Sequence, residues 1–198
     1  MIILNHIFGK YYPIVIDVET TGVTPDKNAI LEIAYTPLEL SLEGKLIKGI
    51  GETFHLLPFD GAEFCKESME IHKIDPFHPF RFAEDEKTIL EKLSAVILSR
   101  AKNAGYRRAI LVGHNSWFDL AFINNAYQRH KMKSPFHQFT SIDTATLAGF
   151  HLRETVLARA LYLARIDYSP KEAHSALYDA EKTAELVCFL WNKYHSKK

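Results

Sequence analysis

Cysteine is scarce: Cys65 and Cys188 are the only two in 198 residues, far apart and in no C-x-x-C pair. That argues against a disulfide scaffold and fits a reducing compartment. An excess of charge of one sign is also missing, since 24 basic residues balance 24 acidic ones. Nothing global therefore points to a polyanion, and such a partner would have to be held by a local basic patch and metal ions. No long hydrophobic run occurs. Met1-Ile2-Ile3-Leu4 stops at Asn5-His6, too short for a signal-peptide core, and no window reaches transmembrane length. Repeats, linkers and low-complexity tracts are lacking too. The expectation is a cytoplasmic protein, off the membrane, with residues 1–198 forming one domain whose core the 47% of apolar residues can fill.

What is present begins with Ile14-Val15-Ile16-Asp17-Val18-Glu19-Thr20-Thr21-Gly22. Three β-branched apolar residues read as a buried strand, yet two acids follow at once. Side chains alternate along a strand, so Asp17 and Glu19 share one face and Val18 takes the other. Two carboxylates projecting together from a buried strand need a cation or a proton between them. The segment reads either as a hard-metal site or as a strand that has run out into solvent. Further on, Ile30 to Leu40 and Leu46 to Leu57 read as strands around a turn at Ser41-Leu42-Glu43-Gly44, giving an antiparallel meander. Residues Asp60 to Phe82, with Asp75-Pro76 and His78-Pro79, read as a loop with one short helix. A helical stripe spans Asp85 to Lys102, a short buried strand Ala109 to Gly113, and further helices Trp117–His130, Thr155–Ile166 and Ala176–Tyr194. The order predicts an α/β fold, a central mixed sheet flanked by helices.

Two more segments carry chemistry. In Gly113-His114-Asn115-Ser116-Trp117-Phe118-Asp119 a strand ends and a helix starts, with Asn115 or Ser116 as N-cap and Asp119 in the first turn. An acid there is favoured by the helix dipole whether or not it is catalytic, but strand C-terminal ends are where ligands collect in α/β sheets. In His174-Ser175-Ala176-Leu177-Tyr178-Asp179, a Ser175 N-cap places His174 at N′ and Asp179 at N4, positions that a helix start brings into contact. The stripe Ala180, Ala184, Val187, Trp191 and Tyr194 would bury one face of this helix against the sheet.

The set D-x-E, H-N-x-x-F-D and H-x-x-x-x-D resembles the DnaQ-like 3′-to-5′ exonucleases of the DEDDh class, which have a ribonuclease H-like exonuclease fold. The tyrosine subclass would need Tyr where Ser175 stands. Within that family the chain is most similar to the ribonuclease T group, through Ile74-Asp75-Pro76, Pro135-Phe136-His137, Ile142 to Gly149 and Ala173 to Asp179 as well as the acids. The resemblance implies that Asp17, Glu19, Asp119 and Asp179 hold two Mg²⁺ ions, with Mn²⁺ as a substitute, and that His174 is the general base. Oxygen ligands suit Mg²⁺, two ions can flank a scissile phosphodiester, and a base titrating near neutrality suits the proton transfer. His114 reads as structural, bonding backbone at the strand end, and Asp143, on a short strand, as a tie for its segment.

The same resemblance implies a homodimer that trims RNA 3′ ends, tRNA among them, releases nucleoside 5′-monophosphates and grips terminal bases on aromatic rings. Phe118 and Phe139 match two such rings, and Glu67 an acid that contacts a base. Val23 and Ile71 stand where two more rings are expected. Lys102 and Arg108, with Arg107 beside them, match a basic patch contributed by the partner subunit; its amino-terminal basic positions fall on Ile7 and Gly9, leaving Lys10 nearest. Two alternatives stay open: a proofreading exonuclease that acts on DNA as a polymerase subunit, with single-stranded DNA as a candidate partner, and a non-catalytic nucleic-acid-binding module, which normally lacks one or more of the acids.

Overall fold

The computed structural model describes residues 9–195. The apolar amino-terminal residues and the expected basic position at Ile7 lie outside them. Among the described residues a six-stranded sheet carries the molecule. Strand β1 (Tyr12–Thr20) is central, paired antiparallel with β2 (Ile30–Leu40) and parallel with β5 (Ala109–Gly113). The parallel strand β6 (Phe136–Asp143) flanks β5, and the far edge of β2 is covered by two short strands, β3 (Leu46–Lys48) and β4 (Glu52–His55). This is the expected mixed sheet with its antiparallel meander. The single run expected over Leu46–Leu57 is instead broken at Gly49-Ile50-Gly51. There a Cβ on Gly51 would come within 2.7 Å of Thr36 Oγ1 and 2.9 Å of Leu177 Cδ1, so the edge crosses helix and sheet too closely for a side chain.

Helix α1 (Lys66–His72) and a 3₁₀ turn (Pro79–Arg81) punctuate the loop after β4, and α2 (Glu86–Asn103) follows, capped by Asp85, whose carboxylate accepts from the Thr88 N–H at 3.0 Å. Helix α3 (Trp117–Arg129) links β5 to β6. Helix α4 (Thr144–Leu152), which its Thr and Gly content concealed, leads to α5 (Leu157–Ala164) and α6 (Ala176–His195). Helix α5 is shorter than expected because Glu154 Oε1 takes the Thr155 and Val156 N–H groups, at 2.9 and 3.0 Å, and holds those residues out of it.

Alternation along β1 divides the core in two. Ile14, Ile16 and Val18 pack into the larger cluster, with Ile89, Leu93 and Ile97 of α2 and Phe122 and Ile123 of α3. Val15 points the other way, into a cluster with Ala176, Ala180, Ala184 and Val187 of α6. Alanine at a four-residue spacing lets this helix lie close on the sheet. Tyr194 departs from the predicted stripe: it is exposed and stacks on His151, ring centroids 4.2 Å apart. No helix among the described residues is long and apolar enough to cross a membrane. Both cysteines are free.

Candidate active site

Because Val15 faces α6, Asp17 and Glu19 continue along the same face and meet the start of that helix. Helix α6 begins at Ala176, so Ser175, His174 and Asp179 occupy the N-cap, N′ and N4 positions. The His174 N–H donates to Asp179 Oδ2 at 2.8 Å, and His174 takes the left-handed conformation, φ +65°, to do so. Asp119 arrives from the other side. Pairing of β1 with β5 stops at Val15, so the Val18 N–H donates instead to Asp119 Oδ1, at 3.1 Å. Gly113 makes room: a Cβ there would lie 3.2 Å from Asp119 Oδ2 and from Ser116. Asn115, at φ +60°, turns the chain from strand to helix. Ser116 sits at the N-cap position without capping; its hydroxyl bonds that of Ser141 at 2.8 Å.

These elements bring Asp17, Glu19, Asp119, His174 and Asp179 to one open cleft of about 310 Å³. Among the described residues, no Lys or Arg lines it. Burial drives the Asp17 carboxyl well above the usual range, reinforced by the charges of Asp119, Glu19, Asp179 and Glu32. Burial, then Asp179, Glu32 and Asp119, pushes Glu19 to about 8. Asp119 also reaches about 8, through burial that outweighs its backbone hydrogen bonds. Asp179 is raised by burial, against the pull of the His174 N–H and of the His174 and His114 rings.

Such a cluster is protonated or holds cations. The donor chemistry fits a divalent metal: Asp179 Oδ1 is buried with no hydrogen-bond partner, and ligand atoms of Glu19, His174 and Asp179 lie within 4.8 Å of one another. Asp17 and Asp119 fall outside that tight group but line the same cleft. Carboxylate oxygens suit Mg²⁺ or Mn²⁺, whereas an imidazole nitrogen suits softer ions. With a hard cation, His174, itself exposed, is left free to take a proton.

His114 uses both ring nitrogens, at 2.9 Å from Thr144 Oγ1 and 2.7 Å from the Thr155 carbonyl, in keeping with its structural reading. Asp143 caps α4, accepting from Ala145, Thr146 and Asn115 N–H groups and the Thr146 hydroxyl, and these bonds hold its carboxyl below the usual range despite burial.

The residues expected to grip substrate are scattered. Phe118 lines the cleft, backed by Phe122 at 4.9 Å. Glu67 and Ile71 lie on α1, which is tied to the end of β1 by Cys65 N–H to Thr21 O at 2.6 Å and His72 Nε2 to Thr20 O at 3.1 Å; Val23 is exposed just past the same strand end. Phe139 is 89% exposed on β6 and lines a different hollow, with Tyr127, Lys131 and Met132. Lys102 and Arg108 are exposed at the opposite end of the sheet, where β5 begins and the Arg108 carbonyl meets the Tyr12 N–H at 2.9 Å. One cleft residue escaped the sequence reading. Trp117, 67% exposed, lines the cleft edge-on to Phe118, centroids 5.9 Å apart. Its signal was a second aromatic in a helical first turn beside the acid.

Comparison with known proteins follows the same outline. An exonuclease family model, RNase_T, matches residues 14–187. Ribonuclease T of Shewanella denitrificans is 46% identical over 192 residues, covering 96% of this chain and 85% of that protein. Ribonuclease T of Vibrio vulnificus is 46% identical over 189 residues, covering 94% and 87%. In fold the chain resembles E. coli exonuclease I solved with a dT13 oligonucleotide, with a TM-score of 0.69 at 20% identity, over 91% of this chain. The chain spans 41% of that larger protein.

Proposed function

Because the chain belongs to the RNase_T family of exonucleases and acts as a 3′-to-5′ exoribonuclease, we propose that it trims the 3′ ends of tRNA and other structured RNAs. In this reading residues 1–198 work as one exonuclease domain, and Asp17, Glu19, Asp119 and Asp179 hold two Mg²⁺ ions. When bound, those ions supply positive charge that makes water more acidic and offsets the charge growing on the leaving oxygen.

The chain's own residues do the rest. Phe118, packed on Phe122 and therefore fixed, offers a face for the terminal base, and Trp117 adds a second aromatic wall. Val18 N–H fixes the Asp119 carboxylate, and His174 N–H fixes that of Asp179, so the acids are set before substrate arrives. An imidazole nitrogen of His174 takes the proton of the attacking water as its oxygen bonds to phosphorus. The P–O3′ bond breaks, the leaving 3′ oxygen takes a proton from solvent, a nucleoside 5′-monophosphate leaves, and the shortened RNA keeps a 3′-hydroxyl.

The observation that carries this reading is the meeting of five side chains from three distant segments in one cleft that, among the described residues, no Lys or Arg lines. A second part of the proposal concerns assembly: Lys102 and Arg108 serve the active site of a partner subunit in a homodimer. The reading is tested by following 5′-labelled tRNA bearing its 3′ tail, and a matched DNA oligonucleotide, with Mg²⁺ and with EDTA. Stepwise 3′ shortening of the RNA, stopped by EDTA, is expected. Faster loss of the DNA would favour a proofreading role, and binding without hydrolysis a non-catalytic module.

A further inference from the structure

Immediately after α1 the chain runs Asp75-Pro76-Phe77-His78-Pro79-Phe80-Arg81-Phe82, and it spends three phenylalanines on solvent. Phe77, Phe80 and Phe82 are 69%, 78% and 80% exposed. The turn that carries them is held firmly. Asp75 Oδ1 accepts from the Phe77 N–H at 3.1 Å and His78 Nδ1 from the Phe80 N–H at 3.3 Å. Arg81 donates to the Pro76 carbonyl at 2.8 Å and the Leu31 carbonyl at 2.7 Å, closing the turn on itself and fastening it to β2. Phe82 adopts the left-handed backbone, φ +50°, ψ +38°, which is unfavourable for a bulky residue and is repaid by no burial. Strain together with exposure of large apolar rings marks a surface kept for something other than folding.

The position of the turn says what it meets. Leu31, its anchor, adjoins Glu32, and Glu32 is the cross-strand partner of Glu19. The turn therefore borders the acidic end of the sheet. It also continues α1, which is tied to Thr20 and Thr21 at the end of β1. Among the described residues the three rings do not stack on one another; only His78 approaches Phe80, at 5.5 Å. Separately presented, uncovered rings suit the separately stacking bases of a single strand better than one continuous apolar contact does. Lys73, exposed at the start of the same turn, adds a charge for a phosphate.

We propose that Phe77, Phe80 and Phe82 form a stacking ledge for the unpaired bases of RNA upstream of the nucleotide being removed. The proposal rests on the exoribonuclease reading above. It gives this chain an aromatic grip outside the cleft, in addition to Phe118 and Trp117 within it, while Val23 and Ile71 stand at two positions expected to carry rings.

The test is the variant Phe77→Ala with Phe80→Ala and Phe82→Gly, assayed on unstructured RNAs of about four and about twelve nucleotides, lengths that bracket a short and a full single-strand site. KM for the longer RNA should rise about fivefold or more, while kcat and the kinetics of the shorter RNA stay as in the parent. The salt dependence of binding should keep its slope, because stacking releases no counterions. Phe82→Gly alone should raise the melting temperature by relieving the left-handed strain, and a fall would make the ring a packing element and overturn the proposal. Equal losses on both RNAs, or no loss, would overturn it as well. So would a triple variant that changes from dimer to monomer in sedimentation, since the ledge would then be a protein interface. If the parent degrades neither RNA, the exoribonuclease reading fails, and fluorescence anisotropy with the labelled twelve-nucleotide RNA still decides the ledge: tighter binding by the parent supports it, and equal binding sinks it.

Discussion

At the end of the sheet where β1 and β5 stop, Asp17, Glu19, Asp119 and Asp179 gather around a cleft that, among the described residues, no Lys or Arg lines. At the end where the same strands begin, Lys10, Lys102, Arg107 and Arg108 are exposed beside the Tyr12–Arg108 hydrogen bond. A formal net charge of zero conceals this division. From Tyr12 to Asp17 is five strand positions, or roughly 17 Å, so the basic end does not reach the cleft of its own chain. The two ends differ in kind as well. Asp119 is buried and Asp17, Glu19 and Asp179 are half-buried, they repel one another, and Asp119 and Asp179 are held by backbone N–H groups, while the bases are solvent-exposed. In the reading proposed above, chemistry belongs to the first end and electrostatic attraction to the second.

The largest effects should come from breaking the acidic end. Asp17→Asn, Glu19→Gln, Asp119→Asn and Asp179→Asn are each expected to reduce Mg²⁺-dependent hydrolysis to background while the protein stays folded. Without metal, their melting temperatures should hold or rise, because repulsion is relieved. The pH dependence has a definite sign. Glu19 and Asp119 bind protons more tightly folded than unfolded, so they favour the fold at pH 4–5 and lose that contribution as pH climbs through about 8. Metal-free protein should therefore melt several degrees lower at pH 8 than at pH 5, given about 2–4 °C per kcal/mol for a chain of this size. Asp119→Asn should flatten that trend, and Mg²⁺ should oppose it. Differential scanning calorimetry across the range reads both.

His174→Ala comes next. Loss of a general base predicts a fall of about 10²-fold or more in turnover, with Mg²⁺ and RNA binding nearly intact by titration calorimetry. Equal losses in binding and turnover would make His174 a helix cap only.

Much of the acidic end was legible in the chain itself. Alternation placed Asp17 and Glu19 on one face, and a Ser175 N-cap placed His174 against Asp179, because both depend on local geometry. Phe139 was not placed by its sequence, since which hollow a β6 residue borders depends on how α3 packs over that edge. Helix α4 was hidden because Thr144, Thr146 and Gly149 are weak helix formers, and the helix depends on the Asp143 cap. The gap between β3 and β4 depends on the approach of Leu177 from a helix more than a hundred residues away. Trp117 and Phe122 share one helix and one residue class, and only the packing of that helix leaves the first exposed and the second buried.

Smaller effects test the basic end and the rim. Lys102→Ala with Arg108→Ala should weaken RNA binding and lower the slope of log affinity against log salt by about 0.7 for each phosphate no longer neutralised. A monomer by light scattering at assay concentration would contradict the dimer outright. Val23→Phe with Ile71→Phe should tighten binding of a 3′ overhang, up to about 1–3 kcal/mol for each base stacked, and sharpen the preference among 3′ bases. Steady-state kinetics on RNAs ending in each base would show it, and unchanged preference would place base choice elsewhere.

The most direct measurement of the two-ended account mixes subunits. Asp119→Asn protein, intact at its basic end, is combined with Lys102→Ala/Arg108→Ala protein, intact at its acidic end, and exchanged before assay on RNA at moderate salt. A mixed dimer holds one site with wild-type acids facing a wild-type basic patch. The account predicts that activity in the mixture rises above the sum of the two proteins assayed apart. Activity equal to that sum, in a sample shown by mass to contain mixed dimers, would contradict it.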